Sequence, residues 1–212
     1  MAIKTKVNKR PFKNCKRLVM WKMTDEENET YSTDVLDFTN RLTTYTDSVA
    51  TNTTPLYGDG EDIEDAVSEG TGTLQLGIHH LADEERVELY GETANSSGAI
   101  ISTGDEIPPF FCVALAAEKR DGTLNLRKYF KTIFQKHEES VNQQESNGTS
   151  YSMPTLNGSY SKNKALGMKS VRVEVDPNTE EGAAFIENWY GSAAFIGEDT
   201  QSGEDTQSGD NG

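Results

Sequence analysis

The sequence predicts a mainly β protein, a β-sandwich or barrel-like fold of about seven or eight short strands with one flanking α-helix at about residues 82–90. Three observations carry this. Apolar runs are short and recur between stretches crowded with Thr, Ser, Asn and Gly, the texture of strands separated by turns. Asp121-Gly122 stands between β-forming residues, a strong hairpin signal. One short segment has both helix-starting and helix-stopping chemistry: Asp83, Glu84 and Glu85 complement the macrodipole and Gly91 supplies the stop.

Along the chain, strand signals begin at 17–22 (RLVMWK) and continue thinly across 37–54, which is Thr-rich and has little to bury. Residues 55–70 (PLYGDGEDIEDAVSEG) hold six acidic residues and no basic one, and read as a long, exposed inter-strand loop spanning about 50–70. Alternation resumes at 71–78, where Leu74, Leu76 and Ile78 share a face, and runs into the helix. That helix is shorter than the roughly 12 residues at which an isolated helix holds together in water, so it must dock on the sheet and plug one open edge or end.

Next come a strand at 99–103, the turn TGDEIPP, the most apolar strand at 110–117, and its hairpin partner at 124–134. After a polar loop at 135–150, segments 151–161 and 168–175 are expected to pair as a hairpin across 162–167. Residues 182–196 suggest a short terminal helix, preceded by Pro177 and interrupted by Gly191. GEDTQSGEDTQSGDNG repeats a six-residue unit with nothing to bury, the signature of a disordered tail. The organisation expected is a basic arm at 1–16, a single β-rich domain at 17–196 and a tail at 197–212.

Hydrophobic residues make up 34% of the 212, so the core is a sparing one, and part of the chain has no core of its own. No run approaches the ~18 apolar residues of a membrane span, and the start lacks a signal-peptide pattern. Cys15 and Cys112 are therefore read as free thiols in a reducing compartment. Five N-x-S/T triplets are what chance supplies in so Thr- and Ser-rich a chain.

Charge says more. The formal net charge is −15, yet the first seventeen residues hold seven basic residues and no acidic one. The remainder carries 13 basic against 35 acidic residues, a formal charge of −22. So acidic a body repels phosphate and argues against tightly held nucleic acid. The arm reads as a solvated terminus, or as an electrostatic partner, through residues such as Lys9, Arg10 and Lys13, for an acidic surface on a neighbouring copy; a nucleic-acid arm ranks below both.

Catalytic chemistry is not found. Adjacent His79 and His80 on a strand point to opposite faces and cannot both ligate one ion. A calcium loop starting at Asp59 fails at Ile63, Glu64 and Gly70. No phosphate-binding glycine motif lies between a strand and a helix. Cys112, between Phe111 and Val113, reads as a buried structural thiol. No enzyme, cofactor, metal site or catalytic residue is read from the sequence.

The order of motifs, EGTGTLQLGIHHLADEERVELYGE, then GDEIPPFFCVALAAEKRDGTLNLRKYFKTIF, then YSMPTLNGSYSK and VRVEV, resembles the major tail (tail tube) proteins of long, non-contractile-tailed bacteriophages, the branch typical of Gram-positive hosts. Asp105, Pro108, Pro109, Ala114, Asp121, Gly122, Pro154, Leu156 and Gly158 stand where that pattern has them. The resemblance implies a structural virion protein of the tail tube fold, assembled into stacked hexameric rings that conduct the genome into the host. It implies copies of itself as partners, a tape measure protein inside, terminator and distal tail proteins at the ends, and DNA only in transit, with no membrane. It also implies assembly in the bacterial cytoplasm and residence in the virion. On this reading Tyr57, Asp59, Glu61, Asp62, Glu64 and Asp65 reach the next ring, and acidic strand positions such as Glu118 and Glu174 are candidates to face the lumen. The alternative is a β-sandwich adhesion or decoration module that binds calcium or carbohydrate.

Overall fold

The computed structural model describes residues 10–58, 61–136 and 153–197, with the side chains of 52–58 and 61–68 outside that description. In chain order the elements are β1 (Phe12–Asp25), β2 (Thr30–Asp37), β3 (Leu42–Gly58), β4 (Glu61–Ile78), α1 (Asp83–Tyr90), β5 (Thr93–Ala94), β6 (Ile100–Ile101), β7 (Phe110–Lys119), β8 (Leu124–Gln135), β9 (Thr155–Tyr160), β10 (Ser170–Val175) and α2 (Glu180–Gly191). One antiparallel sheet runs in the order β2-β1-β7-β8-β9-β4-β3, with β10 as an additional neighbour of β8. β5 and β6 form a separate small hairpin.

β7 explains the architecture. Seven consecutive residues from Phe111 to Ala117 are buried, so both faces of this strand are covered and the period of two sorts them into two cores. Phe111, Val113 and Leu115 point into an inner core with Leu18 and Met20 of β1, Leu74, Leu76 and Ile78 of β4, Tyr129 and Phe134 of β8, and Leu156 and Tyr160 of β9. Cys112, Ala114 and Ala116 point the other way, with Val19 and Trp21 of β1, Leu126 and Phe130 of β8, and Trp189 and Tyr190 of α2. Each fully buried Leu or Phe contributes about 1.5–3 kcal/mol of transfer free energy, and the inner core holds most of them.

Two of the irregularities in this sheet fall at residues with left-handed backbone. Arg17 and Lys131 have φ of 42° and 44°, left-handed values unusual for side-chain-bearing residues. At Arg17 the pairing with β7 slips between Lys16↔Ala116 and Leu18↔Leu115, so Cys15 and Leu18 both pack on the inner core. At Lys131 the parity of β8 inverts, which lets Tyr129 and Phe134 face inward together. The bend also divides the partners of β8: residues before it pair with β10 and residues after it with β9. The expected hairpin between 151–161 and 168–175 therefore does not form. These segments meet only at a bridge, Asn163↔Met168, because each is recruited by a different half of β8.

The 121–122 turn is as expected: Gly122 takes φ 87° and its N–H donates to the Lys119 carbonyl at 3.0 Å. α1 also matches the reading. Gly91 closes it at φ 68°, Leu89 and Tyr90 enter the inner core, and the helix seals one end of the sheet as a plug. Its first turn is tied down from two directions, since the Ala82 N–H donates to Glu85 at 2.8 Å and Arg41 grips the same carboxylate bidentately at 2.6 and 2.9 Å.

Three expectations are corrected. The single flanking helix is joined by a second, α2, which is capped by the Thr179 hydroxyl accepting the Gly182 N–H at 3.1 Å and ends at Gly191 rather than running to 196. The first strand starts at Phe12, not at 17, and β2, which the sequence reading did not recognise, pairs with it. The long acidic loop at 50–70 is strand on both sides: β3 and β4 stay paired from Leu42↔Ile78 out to Gly58↔Glu61. A segment this rich in acidic and polar residues is still able to satisfy its backbone by pairing with its own continuation.

Candidate functional site

The β3–β4 hairpin is 17 residues on one side and 18 on the other, and its base, with Leu42, Leu74, Leu76 and Ile78, belongs to the core. Near the base, Leu74, Leu76 and Ile78 alternate inward against β9, whose pairing with β4 ends at Gly72↔Tyr160. Beyond that point the hairpin is a two-stranded ribbon. Of the residues singled out in the sequence, Tyr57 pairs with Asp62, Glu61 with Gly58, Glu64 with Leu56 and Asp65 with Pro55; Asp59 lies outside the described residues. The ribbon thus gathers the acidic candidates at one tip.

Its root is built stiffly. Asp47 on β3 accepts hydrogen bonds from the phenols of Tyr129 at 3.0 Å and Tyr160 at 2.6 Å, and Arg127 approaches the same carboxylate at 3.8 Å. Burial first, and the neighbouring Asp47, push the Tyr160 phenol above its ordinary range, so it remains a donor. Gly72 sits against the Tyr160 ring so closely that a Cβ there would lie 2.0 Å from it. Lys169 adds a hydrogen bond to the Gly70 carbonyl at 2.8 Å.

Beside this root, β3 returns next to the start of β1. The Cys15 thiol donates to the Thr43 carbonyl at 3.3 Å, and a groove of about 600 Å³ lies between the strands, floored by Ala117 and Arg127. Lys13 borders it, exposed. Arg10 is exposed just ahead of β1, and Lys9 lies outside the described residues. Lys13 therefore sits by the ribbon's root, while the acidic candidates that are described lie along paired strands farther out. Burial raises the Cys15 thiol, and Cys15 and Cys112 are both unpaired.

Among the described residues no strand forms a ladder with the outer side of β2 or of β3, the two ends of the sheet path, although β1 lies beside β3 at Thr43. β2 is mostly solvent-facing and exposes Val35. Such edges present unpaired N–H and C=O groups to any strand that arrives. The lumen candidates are already engaged: Glu118 pairs with Lys16 at 3.2 Å, and Glu174 with the buried Lys119. His79 and His80 are exposed, and among the described residues no group of three or more His, Cys, Asp or Glu is placed to hold a metal ion.

Sequence reasoning missed the buried charges, Glu29 and Lys128 among them. Glu29 joins Lys131, the Lys164 N–H and, through its carbonyl, Asn163, tying the start of β2 to the loop before β10. Burial raises the Glu29 carboxyl, but these donors more than offset it and hold it below the ordinary range. Lys128 is fully buried on the outer-core face between Leu126 and Phe130. Strand parity was the available signal, since a lysine two positions from an apolar residue on either side faces the same core.

No family model matches the sequence, and no curated protein matches it. Among solved structures, a chain in the 6-fold symmetrised cryo-EM structure of the anti-feeding prophage (AFP) baseplate is similar over 80% of this chain and 98% of that one, with a TM-score of 0.38 and 10% identity. At that score the likeness carries no argument about function.

Proposed function

We propose that this chain is a structural, non-enzymatic subunit that assembles with copies of itself into stacked hexameric rings, the tail tube of a long, non-contractile-tailed bacteriophage. The reading rests on the motif order described above. The observation that carries it furthest is a sheet whose two path ends lack a ladder partner among the described residues, and a ribbon that is anchored at Asp47 and extends past its last pairing with β9. Open edges joined between copies continue a sheet around a ring, and heterologous contacts along the axis stack the rings. The ribbon tip, with Glu61, Asp62, Glu64 and Asp65, is the part that meets the next ring, and the basic start of the chain is its electrostatic counterpart.

A body with a formal charge of −22 suits a conduit, because carboxylates repel a moving phosphate backbone where lysines would hold it. Tape measure, terminator and distal tail proteins are the partners this role requires.

Negative-stain electron microscopy of the purified chain tests the reading. Rings or tubes are expected, and deletion of residues 55–69 is expected to leave a folded subunit without long tubes. Monomers at every concentration would overturn the assembly role, and normal tubes after the deletion would overturn the ribbon's part in it. A monomer whose melting temperature rises sharply with calcium would point to the decoration module instead.

A further inference from the structure

α2 ends at Gly191, and residues 192–197 then run back across the outer core without regular structure. Lys128 reaches them from beneath. Its Nζ donates to the carbonyls of Ser192 at 2.6 Å, Phe195 at 2.6 Å and Ala193 at 3.5 Å. The ammonium is flanked by the rings of Trp189 and Trp21, with centroids 4.6 and 5.3 Å away. Cys112 closes the underside and donates weakly to the Ala193 carbonyl at 3.8 Å. Beside this contact a cavity of about 270 Å³ separates residues 191–194 from the start of β2.

Among the described residues no carboxylate is paired with this charge. Three carbonyls and two ring faces replace part of the ammonium's hydration, but a buried lysine without an acidic partner is costly whenever it is protonated. Lifting residues 192–197 returns the charge to water. We propose that this segment is a conditional cover over the outer core, fastened by the Lys128 hydrogen bonds yet poised to lift because the same contact keeps an ammonium from solvent. The device borders the start of β2 across that cavity, but it does not depend on the proposed function.

Burial lowers the Lys128 ammonium to about 8 from an ordinary value of 10.5, and Cys112 opposes the shift. Cys112 itself is pushed up to about 12 by burial, and Tyr31 of β2, which interacts with it, also to about 12. Tyr190 of α2, facing Arg17 of β1, is raised by burial as well. Between pH 7 and 10 Lys128 is thus the group of this cluster that changes charge. Because the closed form binds its proton less tightly than the open one, closure is strongest above about 10.5, weakens as pH falls to about 8, and is level below that.

Hydrogen exchange of the full chain, followed in peptides covering 192–197 and normalised to an unstructured peptide of the same sequence, tests the proposal. The opening equilibrium is expected to fall about tenfold between pH 7 and pH 9. Lys128→Met, which keeps the volume and removes both the charge and the hydrogen bonds, is expected to leave protection unchanged across that range. A wild-type profile that is flat between pH 7 and 9, or a methionine variant with the wild-type slope, would overturn it. If the variant does not fold, the wild-type profile alone decides.

Discussion

The two faces of β7 are filled by different means. Phe111, Val113 and Leu115 meet side chains from strands hydrogen-bonded on either side, so the inner core cannot open without breaking ladders. Cys112, Ala114 and Ala116 are small, and the space they leave is taken by Trp189 and Tyr190 from a helix that makes no ladder. The inner core is closed mainly by the sheet, with Leu89 and Tyr90 of α1 at one end, whereas the outer one is closed by a late element and a buried lysine. Burial of similar depth therefore does not mean similar resistance to opening, because the elements have different attachments.

Substitutions can break or sharpen this contrast. Leu76→Ala, in the inner core between β3 and β9, is expected to cost about 3 kcal/mol of global stability, read as a lowered urea midpoint with all probes moving together. Trp189→Ala removes a comparable side chain from the outer core but should act locally. The amides of α2 are expected to lose protection at urea concentrations where those of β4 are still protected, and a single coincident transition would erase the distinction. Smaller still, Thr179→Ala removes the hydroxyl that accepts the Gly182 N–H and should cost about 1 kcal/mol, seen first in exchange of the first turn of α2.

The same contrast shows which parts of the molecule local chemistry reveals. α1 was legible because its acidic first turn and Gly91 act within a few residues, and the Asp121-Gly122 turn was legible for the same reason. The alternation of Leu74, Leu76 and Ile78 announced a buried face. The ribbon was misread as loop because 55–70 carries six acidic residues and no basic one, while its pairing depends on backbone groups that every sequence possesses. The acidic tip was recognised by composition, but its position far from Lys13 and the root at Asp47 came from the register.

By itself, the sequence determined that the chain is mainly β, where its short helix begins and ends, and how unevenly its charge is spread. Turn geometry, caps and alternation act over two to eight residues and are written locally. Tertiary structure alone decided that β9 and β10 attach to opposite halves of β8, that Lys128 is buried beneath residues 192–197, and that Glu118 and Glu174 are paired with lysines. Those outcomes depend on which distant strand arrives at an edge. The edge itself, a row of N–H and C=O groups, is chemically the same wherever it occurs.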